Sequence, residues 1–244
     1  MLRERVGVSR HDSVLSIVLG EDRMTARQAA ELVDVLADAA EDRDVRAVVL
    51  RSDCADFCAG AHDDLLAMPT PRPTPADRLA AIRVPVVAVL QGRVESAGLE
   101  LALAADVRLA APDARFRFPE VAEGRLPSWG GTQRLPRTVS PSTALRMILL
   151  GEELTAADAR DTGLVHEISD DPRSRADAQV AEWLQRAPLA LEYAKEAVRD
   201  GAELRLREGL ALEADLNTLL QTSEDRAEGI AAFLEKRAPG FRNA

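Results

Sequence analysis

The sequence of 244 residues is poor in aromatic residues and carries no excess of positive charge. Aromatic side chains make up only 3% of the chain, so a core has to be built from Leu, Val, Ile and Ala. The net charge of −10 disfavours a nucleic-acid-binding surface, because phosphate neutralisation requires clustered Lys and Arg. It still allows a small anionic ligand held by a few local cations and backbone N–H groups.

Cysteines and long apolar runs are also scarce. The two cysteines, Cys54 and Cys58, do not form a disulfide framework, and two thiolates alone do not make a zinc site. The longest apolar run, "VPVVAVL", is too short to span a bilayer, and the first residues contain no apolar signal-peptide core. We therefore expect a cytoplasmic protein with reduced thiols and without a membrane partner.

The first half of the chain alternates strand and helix patterns. Residues 13–19, 45–52 and 84–92 predict strands, and residues 25–42 predict a helix capped by Thr25. The third strand is apolar at successive positions, which is typical of a parallel sheet covered on both faces. The pattern predicts an α/β layered domain, with a helix over 99–107 and short strands in "RLAA" and "ARFRF".

From about residue 130 onward, apolar residues recur every three to four positions, which predicts helices to the end of the chain. The proline-rich stretch "MPTPRPTPAD" (68–77) is either a stiff extended connection or a mobile surface loop.

Two glutamates are candidates for acid–base chemistry. A helix around Glu100 would be apolar on every side, so Glu100 would be buried and its pKa raised towards neutrality. The alternative is that Glu100 pairs with a nearby arginine or lies at the edge of the sheet. Glu120 follows Pro119 at the end of a predicted strand, which places it on a loop, where it could be catalytic or merely solvated.

Two turns of small residues each follow a predicted buried strand. One contains Ala59, Gly60 and Ala61, and the other is "ESAGLE" at 95–100. Backbone N–H groups in such turns can polarise a carbonyl oxygen as an oxyanion hole. The alternative is that both are ordinary strand-to-helix turns.

Together these segments resemble the crotonase (enoyl-CoA hydratase/isomerase) superfamily. "DVRAVVLRSDCADFCAGA" is similar to its first oxyanion segment, and the stretch from "VPVVAVLQGRVESAGLE" to "FRFPEVAEG" is similar to its second. The resemblance implies an α/β spiral of ββα units as a core over 1–185. It also implies a helical region over 186–244 that assembles the chain into a trimer or a dimer of trimers.

The resemblance also implies roles for individual residues. The N–H groups of Ala61 and Ala97 would hold the thioester oxygen of an acyl-CoA, Glu100 would activate water, and Glu120 would protonate the α-carbon. No metal or redox cofactor would be needed, because the thioester is the electron sink and coenzyme A is part of the substrate. The implied substrate-binding positions are Ala59, Gly60, His62, Gly98, Ser128, Trp129 and Lys236, the last near the CoA of a neighbouring subunit.

The departures from the family pattern cluster around the acyl site. Ser96-Ala97-Gly98 replaces the usual three glycines, His62 replaces an aspartate, and "LGEDRMTARQA" replaces a segment that contacts CoA. Ser128 and Trp129 stand where Gly and Ala are common, and the Trp would narrow or reshape the acyl pocket.

Three alternatives to hydration remain open. One is another CoA-enolate reaction, either double-bond isomerisation or C–C hydrolysis, and another is a crotonase-fold protein that binds acyl-CoA without turnover. The third is a serine hydrolase with Ser96 as nucleophile and His62 as base. The nucleophile-elbow pattern of that class is absent, because position 94 is Val94.

Overall fold

A computed structural model describes residues 6–70 and 72–241. These residues form two compact units. The first contains residues up to Ile82 together with Val86–Asp177, and the second contains Arg83–Pro85 together with the residues from Ala178 onward. The boundary between the two units falls between Asp177 and Ala178, and the division after residue 185 stays a prediction from the sequence.

The strands of the described residues, all in the first unit, are β1 Val6–His11, β2 Val14–Leu19, β3 Ala47–Ser52, β4 Cys58–Ala59, β5 Val86–Leu90, β6 Arg93–Glu95, β7 Val107–Ala110, β8 Arg115–Arg117, β9 Leu154–Thr155 and β10 Glu167–Ile168. The helices are α1 Ala26–Glu41, α2 Asp63–Leu66, α3 Pro75–Ala80, α4 Ala97–Ala104, α5 Gly131–Thr138, α6 Pro141–Leu150, α7 Ala156–Asp161, α8 Pro172–Leu184, α9 Pro188–Gly201, α10 Leu206–Leu220 and α11 Glu224–Glu235.

The strands form two sheets that the chain visits in turn. The larger has the order β1-β2-β3-β5-β7-β10, and the smaller has the order β4-β6-β8-β9. Each of β3, β5 and β7 in the large sheet is followed by a strand of the small sheet and then by helix. This repetition of two strands and a helix is the predicted spiral of ββα units.

Local sequence explains why the central elements form. All five residues of β5 are buried, as a continuous apolar run in a covered parallel strand requires. The helix α1 begins where predicted, because the Thr25 side chain accepts the N–H of Gln28 as an N-cap. The core consists mainly of Val, Leu, Ile and Ala, with Phe57, Phe116 and Phe118 as its largest fully buried side chains.

Several predictions need correction. The strand β1 carries no clear alternation, is exposed over much of its length and pairs antiparallel with β2, so the sheet is not purely parallel. The helix α4 begins at Ala97 rather than residue 99. The proline-rich stretch ends in α3, since Thr74 and Asp77 form a capping box at its start.

The second unit is helical, as predicted for the C-terminal region. Here α9 packs against α10, and the two backbones come close where a Cβ added at Gly209 would lie 3.3 Å from the carbonyl oxygen of Gly201. In the part of the chain that the structure describes, no helix is long and apolar enough to cross a bilayer.

Candidate active site

The parallel strands of the small sheet end at one edge and carry the candidate residues with them. Ala59 of β4 pairs with Glu95 of β6, and Glu95 pairs with Arg117 of β8. These three residues form one row across the sheet. Ala61 and Ala97 each lie two residues beyond this row along their own segment, and Glu120 lies three residues beyond it. The carboxyl ends of parallel strands are the usual position of ligand sites, because loops and helix N-termini converge there.

A cavity of about 180 Å³ lies at this edge. Its polar lining includes Ser96, Glu100, Glu120 and Arg125. Its wall is otherwise mostly apolar, and the remaining lining residues are Ala61, Leu65, Leu66, Met68, Thr70, Ala97, Leu126, Ser128 and Trp129. The cavity therefore brings together both predicted glutamates and both predicted oxyanion donors.

The N–H groups of Ala61 and Ala97 donate to no acceptor within residues 6–70 and 72–241. Ala97 is the first residue of α4, where a backbone N–H has no intrahelical partner. The residues on either side of Ala61 both bond to Met24, through the Gly60 carbonyl and the His62 N–H, whereas the Ala61 N–H does not. Arg23 Nη2 donates to the Ala61 carbonyl oxygen at 2.6 Å and holds this turn in place. Two free donors in a cavity wall can stabilise a developing oxyanion.

Glu100 is only 3% exposed and is held by backbone rather than by an arginine. Its Oε1 accepts the N–H groups of Trp129 and Gly131, both at 2.7 Å. The alternative of an arginine partner is therefore wrong among the described residues. Burial is the main cause that raises the pKa of Glu100 to about 7. The two N–H bonds lower this pKa, and the nearby Glu120 makes a smaller contribution that raises it. A carboxylate with such a pKa can act as a general base near neutral pH.

Gly131 can donate its N–H to Glu100 because it has no side chain, and the space around its Cα leaves no room for one. A Cβ added there would lie 2.9 Å from both Phe118 and Pro127 and 3.0 Å from Glu100 Oε1. Gly131 was not among the residues predicted for the site. The only signal was the pair Gly130-Gly131 before a helix, which is common in ordinary turns.

Glu120 opens a short 3₁₀ helix, Glu120–Glu123, and is 1% exposed, so the expectation of an open loop is corrected. Its Oε1 accepts the hydroxyl of Ser96. Its Oε2 is buried and has no hydrogen-bond partner within the described residues. Burial raises the pKa of Glu120, while the Ser96 hydroxyl opposes that rise. A neutral carboxyl group with one free oxygen can deliver a proton to a ligand in the cavity.

The other predicted binding residues lie at different distances from the cavity. Ser128 and Trp129 line it, and Trp129 is 3% exposed. Gly98 lies behind the wall, where a Cβ would come within 2.6 Å of Cys58 Cβ. Ala59 and Gly60 line an adjoining groove.

His62 and Lys236 are not among the lining residues of the cavity. His62 caps the start of α2, and its half-exposed ring has Nδ1 3.1 Å from Asp64 Oδ1. Because the Ser96 hydroxyl donates to Glu120, the described contacts provide no serine–histidine pair for a hydrolase. Lys236 ends α11 in the second unit, in a left-handed conformation.

The adjoining groove encloses about 340 Å³ and shares Ala61, Ser96 and Arg125 with the cavity. Its charged lining consists of Arg23, Arg93, Arg117, Arg125, Glu95 and Glu123. Arginine is suited to phosphate because its planar guanidinium donates two parallel hydrogen bonds. These arginines were not predicted as binding residues, since they come from separate segments that only the fold brings together. In the described part of the chain, no cluster of His, Cys, Asp or Glu could hold a metal ion.

Comparison with known proteins defines the family. The sequence profile described as enoyl-CoA hydratase/isomerase matches residues 12–244. The chain is 41% identical to 2,3-dehydroadipyl-CoA hydratase of Escherichia coli (strain K12), over 96% of this chain and 97% of that protein. It is 34% identical to the probable enoyl-CoA hydratase echA8 of Mycobacterium bovis, over 99% of both.

The fold agrees with these sequence relationships. The crystal structure of enoyl-CoA hydratase from Bacillus anthracis superimposes with a TM-score of 0.93 at 28% identity, covering 99% of this chain and 100% of that one. An enoyl-CoA hydratase subunit from Geobacillus kaustophilus gives a TM-score of 0.90 at 31% identity, covering 99% of both chains. The chain therefore belongs to the enoyl-CoA hydratase/isomerase family and has the crotonase fold, as the sequence predicted.

Proposed function

We propose that the protein is a hydratase that adds water reversibly to a 2-enoyl-CoA thioester. The observation that carries this proposal is one cavity lined by two buried glutamates and by two alanines whose N–H groups are unpaired. Hydration needs one group to activate water, one to supply a proton and a means of stabilising the enolate. The cavity offers all three, and the names of the relatives agree with this reaction.

The proposed reaction follows from the polarity of the thioester. The N–H groups of Ala61 and Ala97 bind the thioester oxygen and stabilise the negative charge that develops on it. Glu100, as carboxylate, takes a proton from water while the water oxygen bonds to the β-carbon. Glu120 gives its proton to the α-carbon, and the thioester carbonyl is restored. Because the thioester accepts the electrons, the proposed reaction uses no metal or redox cofactor.

The adjoining groove provides a place for the CoA part of the substrate. It meets the cavity at Ala61, where the thioester oxygen would be held, and four arginines line it. Arg23 already donates to the Ala61 carbonyl, Arg93 pairs with Asp56, and Arg117 donates to the Gly151 carbonyl. We propose that their remaining donors bind CoA phosphates, although the segment around Arg23 departs from the family pattern.

The acyl group would lie against the apolar wall formed by Leu65, Leu66, Met68, Leu126 and Trp129. Trp129 lines the same cavity as Glu100, so we propose that its large side chain limits the bulk of the acyl group. A relative is named for 2,3-dehydroadipyl-CoA, whose acyl group ends in a carboxylate. Arg125 is the cation in the described wall of this cavity, and although it pairs with Glu123, we propose that its remaining donors would favour such a group.

The test is a panel of 2-enoyl-CoA esters of different length, including branched, cyclic and dicarboxylic ones, followed by loss of absorbance of the conjugated thioester. Wild type should hydrate at least one of them. Glu100→Gln and Glu120→Gln should each lower kcat by about 10²- to 10⁴-fold, since each removes one acid–base group. Glu41→Gln, an exposed glutamate on α1, is the matched control and should leave kcat unchanged.

Product analysis separates the alternatives. Incorporation of oxygen from labelled water at the β-carbon supports hydration, and a shifted double bond without added oxygen would identify an isomerase. Carbon–carbon bond hydrolysis would shorten the acyl chain. Tight binding of the esters without turnover would favour a non-catalytic protein. If both Gln variants retained full activity, the mechanism with two glutamates would be wrong.

A further inference from the structure

Ser96 adopts a backbone conformation that favours glycine. Its φ is 52° and its ψ is −123°, one of three positive φ values among the described non-glycine residues. A side chain at such a position strains the backbone, and strain of this kind persists where the surrounding structure holds it. Glycine would fit this turn without strain, so the presence of serine needs a reason in its side chain.

The hydroxyl of Ser96 does not cap the helix α4, although Ser96 directly precedes it. Serine before a helix usually accepts a backbone N–H as an N-cap, but Ser96 makes no such bond at the start of α4. The hydroxyl instead donates to Glu120 Oε1, 24 residues further along, and Ser96 is 5% exposed. Its one donor is therefore committed to the buried carboxyl group of Glu120.

This bond makes the two oxygens of Glu120 inequivalent. Oε1 accepts from Ser96, while Oε2 is buried without a partner in the described structure. In the neutral form the carboxyl group carries one proton. With the Ser96 hydroxyl donating to Oε1, that oxygen is used as an acceptor, which favours the proton on Oε2, the oxygen that is free to meet a ligand. Ser96 and Glu120 line the same cavity.

We propose that Ser96 is a positioning residue that fixes the rotation of the Glu120 carboxyl group and keeps its transferable proton on Oε2. The inference rests on the proposed hydratase function for its catalytic consequence. In this proposal Ser96 acts through Glu120 and not on the reacting carbons or the water. The bond to Glu120 Oε1 gives a reason for a side chain at this strained turn, since glycine could not make it.

Two substitutions separate the hydroxyl from the backbone. Ser96→Ala removes the hydroxyl and keeps the strain, whereas Ser96→Gly removes both. Both should lower kcat by about 10-fold or more, the usual effect of losing one hydrogen bond to a carboxylate, which Glu120 becomes as it gives up its proton, with KM changed less than about twofold. Both should also move the alkaline limb of the kcat–pH profile to higher pH. A hydroxyl donor favours the carboxylate, so its loss raises the pKa of Glu120.

Asp12 provides the matched control, because it is exposed, lies between β1 and β2 and also has a positive φ of 51°. Asp12→Ala and Asp12→Gly repeat the same backbone changes away from the cavity and should leave kcat and its pH profile unchanged. If Ser96 served only the turn, Ser96→Gly would match wild type in kcat and pH profile. That result, or an unshifted limb in both variants, would overturn the proposal.

A titration independent of turnover distinguishes failure of this proposal from failure of the hydratase function. Carbon-13 labelled glutamate, assigned with Glu120→Gln, reports the pKa of Glu120 by NMR in wild type and in Ser96→Ala. A higher pKa in the variant supports the bond even if wild type hydrates no ester, which would refute the proposed function alone. An equal pKa in an active enzyme would refute the role of Ser96 alone.

Discussion

At the scale of single residues, the site depends on how Glu100 is kept charged while it is buried. A carboxylate with little access to water is unfavourable unless hydrogen bonds replace its hydration. The two N–H groups of Trp129 and Gly131 do this at Oε1, and they come from a turn 29 and 31 residues further along the chain. The compensation is incomplete, so the pKa of Glu100 remains raised, at about 7.

This raised pKa predicts how stability depends on pH. In the unfolded chain Glu100 titrates near 4.5, and in the folded protein near 7, so the folded state binds the proton more tightly. The resulting stabilisation is complete below pH 4.5 and is lost as the pH rises through 7. Wild type loses this stabilisation as the pH rises, whereas Glu100→Gln does not, because glutamine does not titrate. The free energy of unfolding of the variant minus that of wild type should therefore increase over that range by on the order of 3 kcal/mol.

Urea unfolding at a series of pH values and at one protein concentration measures this difference. Glu41→Gln serves as the control, and its curve should run parallel to that of wild type. Parallel curves for Glu100→Gln and wild type would show that burial does not raise the pKa of Glu100. The same pKa predicts that hydration by wild type weakens as the pH falls below about 7, because the base becomes protonated.

The sequence predicted the identity of the two glutamates but not their partners. An apolar helix around Glu100 predicted burial and a raised pKa as one of two alternatives. The bonds from Trp129, Gly131 and Ser96 could not be predicted, since they join positions far apart in sequence through turns with no distinctive pattern. The roles that the resemblance implied for His62 and Lys236 stay predictions, as do those of the two glutamates.

At the scale of elements, the site depends on the close approach of α4 to β4. Gly98, in the first turn of α4, lies against Cys58 of β4, and an added Cβ would come 2.6 Å from Cys58 Cβ and 2.7 Å from the Cys58 carbonyl oxygen. The strand backbone cannot move aside without disturbing the turn that presents Ala61. We therefore expect this contact to set the separation of the two predicted oxyanion donors, Ala61 and Ala97.

We expect Gly98→Ala to destabilise the protein by about 1–3 kcal/mol, the usual effect of forcing an extra methyl group into a packed core. The activity of the folded fraction should also fall, because Ala61 and Ala97 would move apart. Thermal unfolding and kcat measure the two effects. Gly7→Ala is the control, since its Cβ would meet Val18 Cβ at an ordinary 3.4 Å. Equal stability of Gly98→Ala and wild type would contradict the close contact.

Elements with strong patterns were predicted well, and those without were not. The helix α1 and the strands β3 and β5 match their predicted segments closely, since periodicity and capping are local properties. The strand β1 was missed because most of its residues are exposed and its stability comes from pairing with β2. The helix α3 at the end of the proline-rich stretch was not predicted, because several prolines together indicate a loop. A single proline is nevertheless tolerated in the first turn of a helix, where Pro75 lies.

At the scale of the whole molecule, the helices of the second unit expose many large apolar side chains. The exposed apolar residues of α9, α10, α11 and their connections include Val198, Leu204, Leu206, Leu210, Leu219, Ile230, Phe233 and Leu234. Phe233 is 82% exposed. Surfaces of this kind are typical of contacts between protein chains. They support the prediction that this region assembles the chain into a trimer or a dimer of trimers.

We expect Phe233→Asp to shift the protein towards smaller species, because assembly would bury the introduced charge without a partner. Size-exclusion chromatography with light scattering should show a trimer or hexamer for wild type and a smaller mass for the variant. Val8→Asp, which places the same charge on an exposed apolar position of β1, is the control and should keep the wild-type mass. A monomeric wild type would refute the predicted assembly.

The sequence by itself determined the fold class, the family and the helical C-terminal region, and it left burial of Glu100 as one of two alternatives. Each of these depends on local periodicity or on the order of motifs along the chain. Only the tertiary structure decided what the glutamates contact and how the arginines of the groove come together. It also showed that Ser96 faces Glu120. These features depend on the register of short strands and on turns distant in sequence, whose geometry is determined by packing.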